Sequence, residues 1–232
     1  NKNINVSEAK VQNNGDGAKV QLKFKLGSKA SGVDETNIGS VPEFSVYCLE
    51  NPYRMVVKIS SVTFWDYEDS FEGINSEGIA IDMFRPYTST LNEGDSQDIY
   101  LFFQMKNDLA FKVSENSDSI EIDVKKAGEQ SGEKAWYVIS SLYYDWEKMI
   151  DQVELNPTST NDFTKQVLIS KPFASQEDAK SFADSIAPVL QQLNLSEALA
   201  IKEMTKGELP LYDDNSDDSV FINNPVISVG GN

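Results

Sequence analysis

The sequence predicts a mainly β N-terminal domain, a sandwich of two packed sheets over residues 1–126. A linker at 127–133 joins it to a small α+β domain at 134–206, and an acidic tail follows at 207–232. Three observations predict this. Up to about Lys126 the chain is a succession of short runs in which apolar and polar residues alternate between turn signals, the pattern of half-buried antiparallel strands. Lys126-Ala-Gly-Glu-Gln-Ser-Gly-Glu-Lys134 then turns small and polar, as linkers do. Beyond it, strand-like runs alternate with stretches at helical spacing.

Ala18-Lys-Val-Gln-Leu-Lys-Phe-Lys-Leu26 alternates strictly, with Val20, Leu22, Phe24 and Leu26 on one face and lysines on most of the other. Asn14-Gly-Asp-Gly17 before it is a turn signal, and Val6 to Val11 is the expected hairpin partner. Phe44-Ser-Val-Tyr47 and Met55-Val-Val-Lys-Ile59 are the next strands, split by Glu50-Asn-Pro-Tyr53, where proline ends pairing or marks a strand entry. Strands are expected again at residues 78–84, 98–105, 110–113 and 119–125. So many short strands favour a sandwich over a parallel sheet. Its expected core is Val20, Leu22, Phe24, Met55, Val57, Ile59, Leu101, Phe103, Ile120 and Ile122, because alternation puts each set on one strand face. The same order of strand types occurs over residues 4–59 and again over 79–124. One reading is an internal duplication in which each half supplies one sheet; the other is the compositional likeness of alternating strands.

In the second segment, Trp136-Tyr-Val-Ile-Ser140 is an expected strand, residues 145–155 a helix, Asn156-Pro-Thr-Ser-Thr-Asn161 a loop and residues 165–170 a second strand. Ser175-Gln-Glu-Asp178 is a helix start, with a hydroxyl at the cap and acids in a first turn that favours them. That helix continues through Phe182, Ile186 and Leu190, with Pro188 expected to kink or break it. Ala198-Leu-Ala-Ile-Lys202 is a candidate third strand. In the tail, Asp213-Asp-Asn-Ser-Asp-Asp218 lacks the glycine and distal glutamate of a calcium loop and reads as a solvated linker. Residues 220–222 and 226–229 are candidates for an added strand.

Composition narrows the function. Asp and Glu number 37 against 20 Lys and Arg, a net charge of −17 that repels phosphate backbones and disfavours anionic lipid. No histidine occurs, so imidazole bases, Ser–His or Cys–His catalysis and His-ligated zinc are excluded. The single cysteine, Cys48, forms no internal disulfide and reads as an apolar strand position. No run of 18 apolar residues spans a membrane. The chain begins at Asn1 without methionine or leader, which reads as a processed protein and carries no weight against secretion. Phosphate-loop, Gly-x-Ser-x-Gly and dinucleotide signatures are missing, so no cofactor and no metal are expected.

Two local features carry chemistry. Asp66-Tyr-Glu-Asp69 beside Phe64-Trp65 sets acids next to an aromatic platform, as a sugar site or a two-acid glycosidase requires; the bland alternative is a polar loop whose aromatics cap the sandwich. The only two arginines, Arg54 and Arg85, suit planar, bidentate contacts to carboxylates. Either each pairs with an acid of its own domain, or both clamp a peptide carboxylate. Because Arg54 precedes its strand and Arg85 follows its own, separate structural pairing is the expectation.

Residues 4–125 resemble the AMIN domain, an envelope module found beside cell-wall amidases and secretin channels. The resemblance rests on Gly15 to Gly17, Lys19 to Leu26, Asn51-Pro-Tyr-Arg54 with Met55 to Ile59, Arg85, Asp98 to Met105 and Ser119 to Val124. Lys58 stands where that family usually has an acid, and the segments 27–41 and 64–77 are long. The resemblance implies two packed sheets and attachment to peptidoglycan. Lys165-Gln-Val-Leu-Ile-Ser-Lys-Pro-Phe-Ala-Ser-Gln-Glu-Asp-Ala179, with Trp136-Tyr-Val-Ile-Ser-Ser141, is similar to a SPOR domain, a ferredoxin-like module that binds glycan strands stripped of peptides. Lys171 replaces that family's glycine, and the short gap after Leu155 suggests that one of its four strands is missing.

The expectation is therefore a non-catalytic protein of the cell envelope, periplasmic or extracellular, secreted or lipid-anchored, that binds peptidoglycan glycan. Trp136, Tyr137, Ser140, Pro172, Phe173, Trp65, Arg54 and Arg85 are its candidate ligand residues. The alternative is a protein-interaction scaffold of an envelope complex that docks a partner through its sheet edges.

Overall fold

A computed structural model describes residues 3–76, 79–85, 95–128, 131–141, 153–161, 163, 165–192, 199–211 and 226–227. The main division of the chain falls near Glu129, giving two units. Both are built on β-sheet.

The first unit contains β1 (Ile4–Asn14), β2 (Gly17–Leu26), β3 (Thr36–Asn37), β4 (Phe44–Leu49), β5 (Arg54–Phe64), β6 (Ile74–Ser76), β7 (Ile79–Phe84), β8 (Gln97–Met105), β9 (Leu109–Glu115) and β10 (Ser119–Lys126). The β1–β2 hairpin closes at the Asn14–Gly17 pair, with Gly15 at φ +65° in the first turn position, where glycine carries no steric cost. The ten strands form one sheet in the order β6-β7-β8-β5-β1-β2-β10-β9, with β3 on β2 and β4 on β5. β5 makes the corner. Its Arg54–Ile59 stretch pairs antiparallel with β4 and β8. After a break in register past Ile59, with Ser61 at φ +60°, its end runs parallel to Ile4 and Asn5 of β1. The sheet thereby becomes two layers, β9-β10-β2-β1 and β6-β7-β8-β5 with β4, around one core.

All ten expected core residues lie in that core, joined by Val6, Ala9, Val62, Ile81, Ile99, Met105 and Val124. The duplication in which each half supplies one sheet is overturned. β2 pairs with β10 along Lys19–Lys23, and β5 pairs with β8, so each layer takes one hairpin from each half. A hairpin exposes an apolar face that only an opposite layer can cover, and the long 27–41 segment carries the chain across to begin it. In the second layer the outward positions Arg54, Val56, Phe84, Phe102 and Gln104 are buried too, with the Phe84 and Phe102 rings stacked at 5.2 Å. This is why Met55-Val-Val57 and Leu101-Phe-Phe103 are continuous rather than alternating apolar runs.

The second unit has β11 (Lys134–Ser141), β12 (Asn156–Ser159), β13 (Gln166–Ile169), helix α1 (Gln176–Gln192), β14 (Leu199–Thr205) and β15 (Val226–Ile227). Its sheet runs β12-β13-β11-β14-β15, antiparallel throughout. Two expectations are corrected. The segment taken for a loop at residues 156–161 opens with an edge strand, β12, because Thr158, Ser159 and Thr160 are buried and their backbone needs partners. Pro157 fits an edge strand, where one side needs no donor. Nor does Pro188 end α1. The carbonyl it leaves without a helical donor belongs to Asp184, an exposed residue on the solvent side of the helix.

Ser175 caps α1: its Oγ accepts from the Asp178 N–H at 3.1 Å and donates to the Asp178 carboxylate at 2.8 Å. Beyond β14, Leu209 and Pro210 are buried, and the Pro210 carbonyl accepts from the Asn161 N–H at 2.9 Å. Of the helix expected at 145–155 only the end is described, with Val153 helical and buried and Leu155 buried. The acidic run at 213–218 and the candidate strand at 220–222 lie outside the described residues. Among the described residues no helix is long and apolar enough to cross a membrane.

Candidate functional site

In the first unit, the turn after β5 is a 3-10 helix, Asp66–Asp69, and its acids Asp66 and Glu68 are already engaged. Asp66 accepts from Asn5 Nδ2 at 2.9 Å and from Ser28 Oγ at 2.8 Å, while its own N–H donates to Asn5 Oδ1 at 3.2 Å. Asn5 is wholly buried and also donates to the Gly27 carbonyl, so this network ties β1 to the 27–41 segment and to the 3-10 turn. Glu68 takes both Nε (3.0 Å) and Nη2 (2.7 Å) of Arg85, whose guanidinium lies 4.3 Å over the Trp65 ring. Trp65 packs on the core and Tyr67 is part of it. The geometry is that of aromatics capping a sandwich, with an arginine sandwiched between a ring and a carboxylate.

Arg54 lies elsewhere in the layer. It opens β5 opposite Gln104 of β8, which in turn faces Asp82 of β7, so the three share one row on the outward face. Arg54 and Gln104 are buried, and Gln104 Nε2 donates to the Tyr53 carbonyl at 3.1 Å. Burial pushes the Asp82 carboxyl above its usual range, partly offset by a hydrogen bond from the Met83 backbone. Strand alternation puts Arg54 on the outward face, whereas Arg85 turns to Trp65 at the core. The two arginines do not share a cleft. Cys48, in β4, has its Sγ 3.0 Å from the Tyr53 hydroxyl, which also donates to the Leu109 carbonyl.

The second unit gathers its candidates around β11. Tyr137 and Ser140 are fully buried, Tyr137 within the apolar cluster of Ala135, Ile139, Val167, Ile169 and Met204. Trp136 is half-buried on the opposite strand face, and Pro172 and Phe173 are half-buried as well. Beyond the end of β13 the chain stays beside β11. Ser170 N–H donates to the Val138 carbonyl, Ser170 Oγ accepts from the Val138 N–H at 2.9 Å, and Trp136 and Phe173 exchange both backbone bonds at 2.9 and 2.8 Å. Ile139 faces Ile169 while Trp136 faces Phe173, so one extra residue is accommodated at Lys171-Pro172. Proline suits such a bulge because it has no N–H to leave unpaired. The bulge brings the Phe173 ring 5.1 Å from Phe182 of α1, with Lys171 Nζ 5.9 Å from its centroid.

The buried stripe of α1 is Ala179, Ala183, Ile186 and Leu190, at spacings of four, three and four. Sequence reasoning ran the helix through Phe182 without naming it as a site residue. It also missed Lys202, cross-strand from Tyr137 on β14, whose ammonium burial holds below the usual lysine range against the raising effect of Glu208. Nothing in Ile201-Lys-Glu203 distinguishes such a lysine from a solvated one.

Chemically, the half-buried Trp136, Pro172 and Phe173 offer apolar surface with a cation beside it, a combination that suits stacking on a neutral ring. Among the described residues no cluster of acids or thiols could hold a metal ion. No protein family, curated protein or solved structure matches this chain.

Proposed function

We propose that the chain is a non-catalytic cell-envelope protein, secreted or lipid-anchored, that holds peptidoglycan through its glycan strands. The AMIN-like first unit would be the wall-associated scaffold, and the SPOR-like second unit the glycan binder. The observation that carries this reading is the sheet of the second unit. Its four principal strands run β12-β13-β11-β14, all antiparallel, with α1 between β13 and β14. A ferredoxin-like module has this order, and β12 supplies the strand that the sequence left in question. Trp136 and Phe173 would stack on pyranose faces, and the polar groups around the Lys171-Pro172 bulge would orient the chain. Stripped glycan carries little charge, so a net charge of −17 does not steer the protein away from it.

A pull-down on purified sacculi, before and after an amidase removes the peptides, tests this. Retention on stripped sacculi is expected, with loss in Trp136→Ala and Phe173→Ala proteins whose circular dichroism is unchanged. Retention on neither kind of sacculus refutes it and favours a protein scaffold. One observation supports that second reading: among the described residues β9 ends its layer, which offers an edge for β-strand addition.

A further inference from the structure

We infer that the outward face of the β9-β10-β2-β1 layer docks an extended acidic segment of a partner protein. The strand register brings the outward residues together. Glu8 faces Lys23, Lys10 faces Gln21, Glu121 faces Gln21 and Asp123 lies between Lys19 and Lys112, with Lys25 and Lys125 toward opposite ends. Six lysines (10, 19, 23, 25, 112 and 125) therefore stand against four acids, Glu8, Glu121, Asp123 and the Glu35 that meets Lys25, in a chain where acids outnumber bases nearly two to one. At physiological salt a charge acts over about 8 Å, so a ligand lying on this face senses the lysines rather than the distant acids.

The local acids pair with the lysines without matching their number: Lys19 meets Glu121 at 3.4 Å and Asp123 at 3.9 Å. Glu8 is shared between Lys10 at 3.0 Å and Lys23 at 3.2 Å, and Glu35, from the 27–41 segment, between Lys25 at 2.9 Å and Lys29 at 3.7 Å. Burial would raise the Glu8 carboxyl, yet the two lysines outweigh it and hold it below the usual range; Lys25, with Lys29, does the same for Glu35. Exposed pairs of this kind contribute little net stability, so an incoming carboxylate exchanges with them at little cost.

Spacing selects the occupant. Lys23 and Lys25 are alternate residues of one strand, about 6.8 Å apart along it, and Lys19 lies two such steps away. An extended peptide has the same repeat, so acids at every second residue meet these lysines in step. A flexible phosphate polymer has no fixed repeat to match.

The test titrates the full chain with an end-blocked octapeptide of alternating Glu and Thr, read by calorimetry, alongside its Lys-Thr counterpart and inorganic polyphosphate. The acidic peptide should bind, and a Lys19→Gln/Lys23→Gln/Lys25→Gln protein should bind it about tenfold more weakly. Lys180→Gln, on α1, should leave binding unchanged. No binding of the acidic peptide, equal binding by the triple variant, or tighter binding of polyphosphate each overturns the inference. Sacculi stripped of peptides carry no such acidic chains, so the glycan experiment succeeds or fails independently.

Discussion

Removing the Arg85 guanidinium should destabilise the first unit. The side chain is 3% exposed, and Glu68, its partner, is 34% exposed. Deleting one member of a fully buried pair costs about 3–5 kcal/mol, while an exposed pair contributes about 0–1 kcal/mol. An arginine sealed on one side and a carboxylate open to water on the other place this pair at about 1–2 kcal/mol. Stacking on Trp65 adds about 0.5–2 kcal/mol, so Arg85→Ala should cost about 1.5–4 kcal/mol in all. Arg85→Lys keeps the charge but loses the fork and the planar face, and should fall between alanine and the parent. Glu68→Gln retains an acceptor oxygen and should cost about 1 kcal/mol. Urea unfolding followed by circular dichroism measures all three. If Arg85→Ala unfolds within about 0.5 kcal/mol of the parent, as neutral surface changes do, the guanidinium is no structural clamp and the reasoning fails. Loss of sacculus binding in that same protein would move Arg85 to the ligand.

Gly27→Ala should be severely destabilising, because at φ +83° a Cβ would stand 2.1 Å from the Asp34 carbonyl; soluble expression and melting temperature report it. Gly15→Ala, at φ +65° but with open space around it, should cost about 1 kcal/mol in the same melting assay. Asp82→Asn should stabilise the protein at neutral pH. The folded carboxyl titrates above its ordinary value of 3.8, so the parent loses stability as pH climbs from that value through the folded one. The difference between parent and variant melting curves should therefore widen with pH and vanish in acid. Ser175→Ala removes the cap of α1 and should cost about 0.5–2 kcal/mol, seen as faster amide exchange in its first turn.

The alternation of Val20, Leu22 and Phe24, and of Ile120 and Ile122, made the first layer legible because one strand face is solvated and the other buried. The continuous run Leu101-Phe-Phe103 carried the signal of burial on both faces, but no single-strand pattern tells which strand lies beside it. Pairing between β2 and β10 is a matter of long-range closure, so the interleaving of the two halves was invisible. β12 escaped notice for a local reason. Pro, Thr and Ser are turn-formers by composition, and only the register with Gln166–Ile169 makes Pro157-Thr-Ser159 a strand. At the candidate site, the pairing of Arg85 with an acid of its own domain was foreseeable from charge, whereas its stacking on Trp65 needed the corner made by β5. The Trp136–Phe173 bridge was hidden because it depends on one extra residue at Lys171-Pro172.

The Gln21–Glu121 register has a consequence for biogenesis. These cross-strand neighbours are separated by 100 residues of chain. Synthesis at about 5–20 residues per second delivers Glu121 about 5–20 s after Gln21. Throughout that interval the nascent β1–β2 hairpin lacks its neighbour strand and the layer that covers Val20, Leu22 and Phe24. A hairpin forms in microseconds, so the delay belongs to synthesis rather than to the hairpin's own folding. The N-terminal hairpin of this unit thus waits with its apolar face uncovered, and a ribosome stalled before residue 119 would leave an adhesive, unfinished sheet.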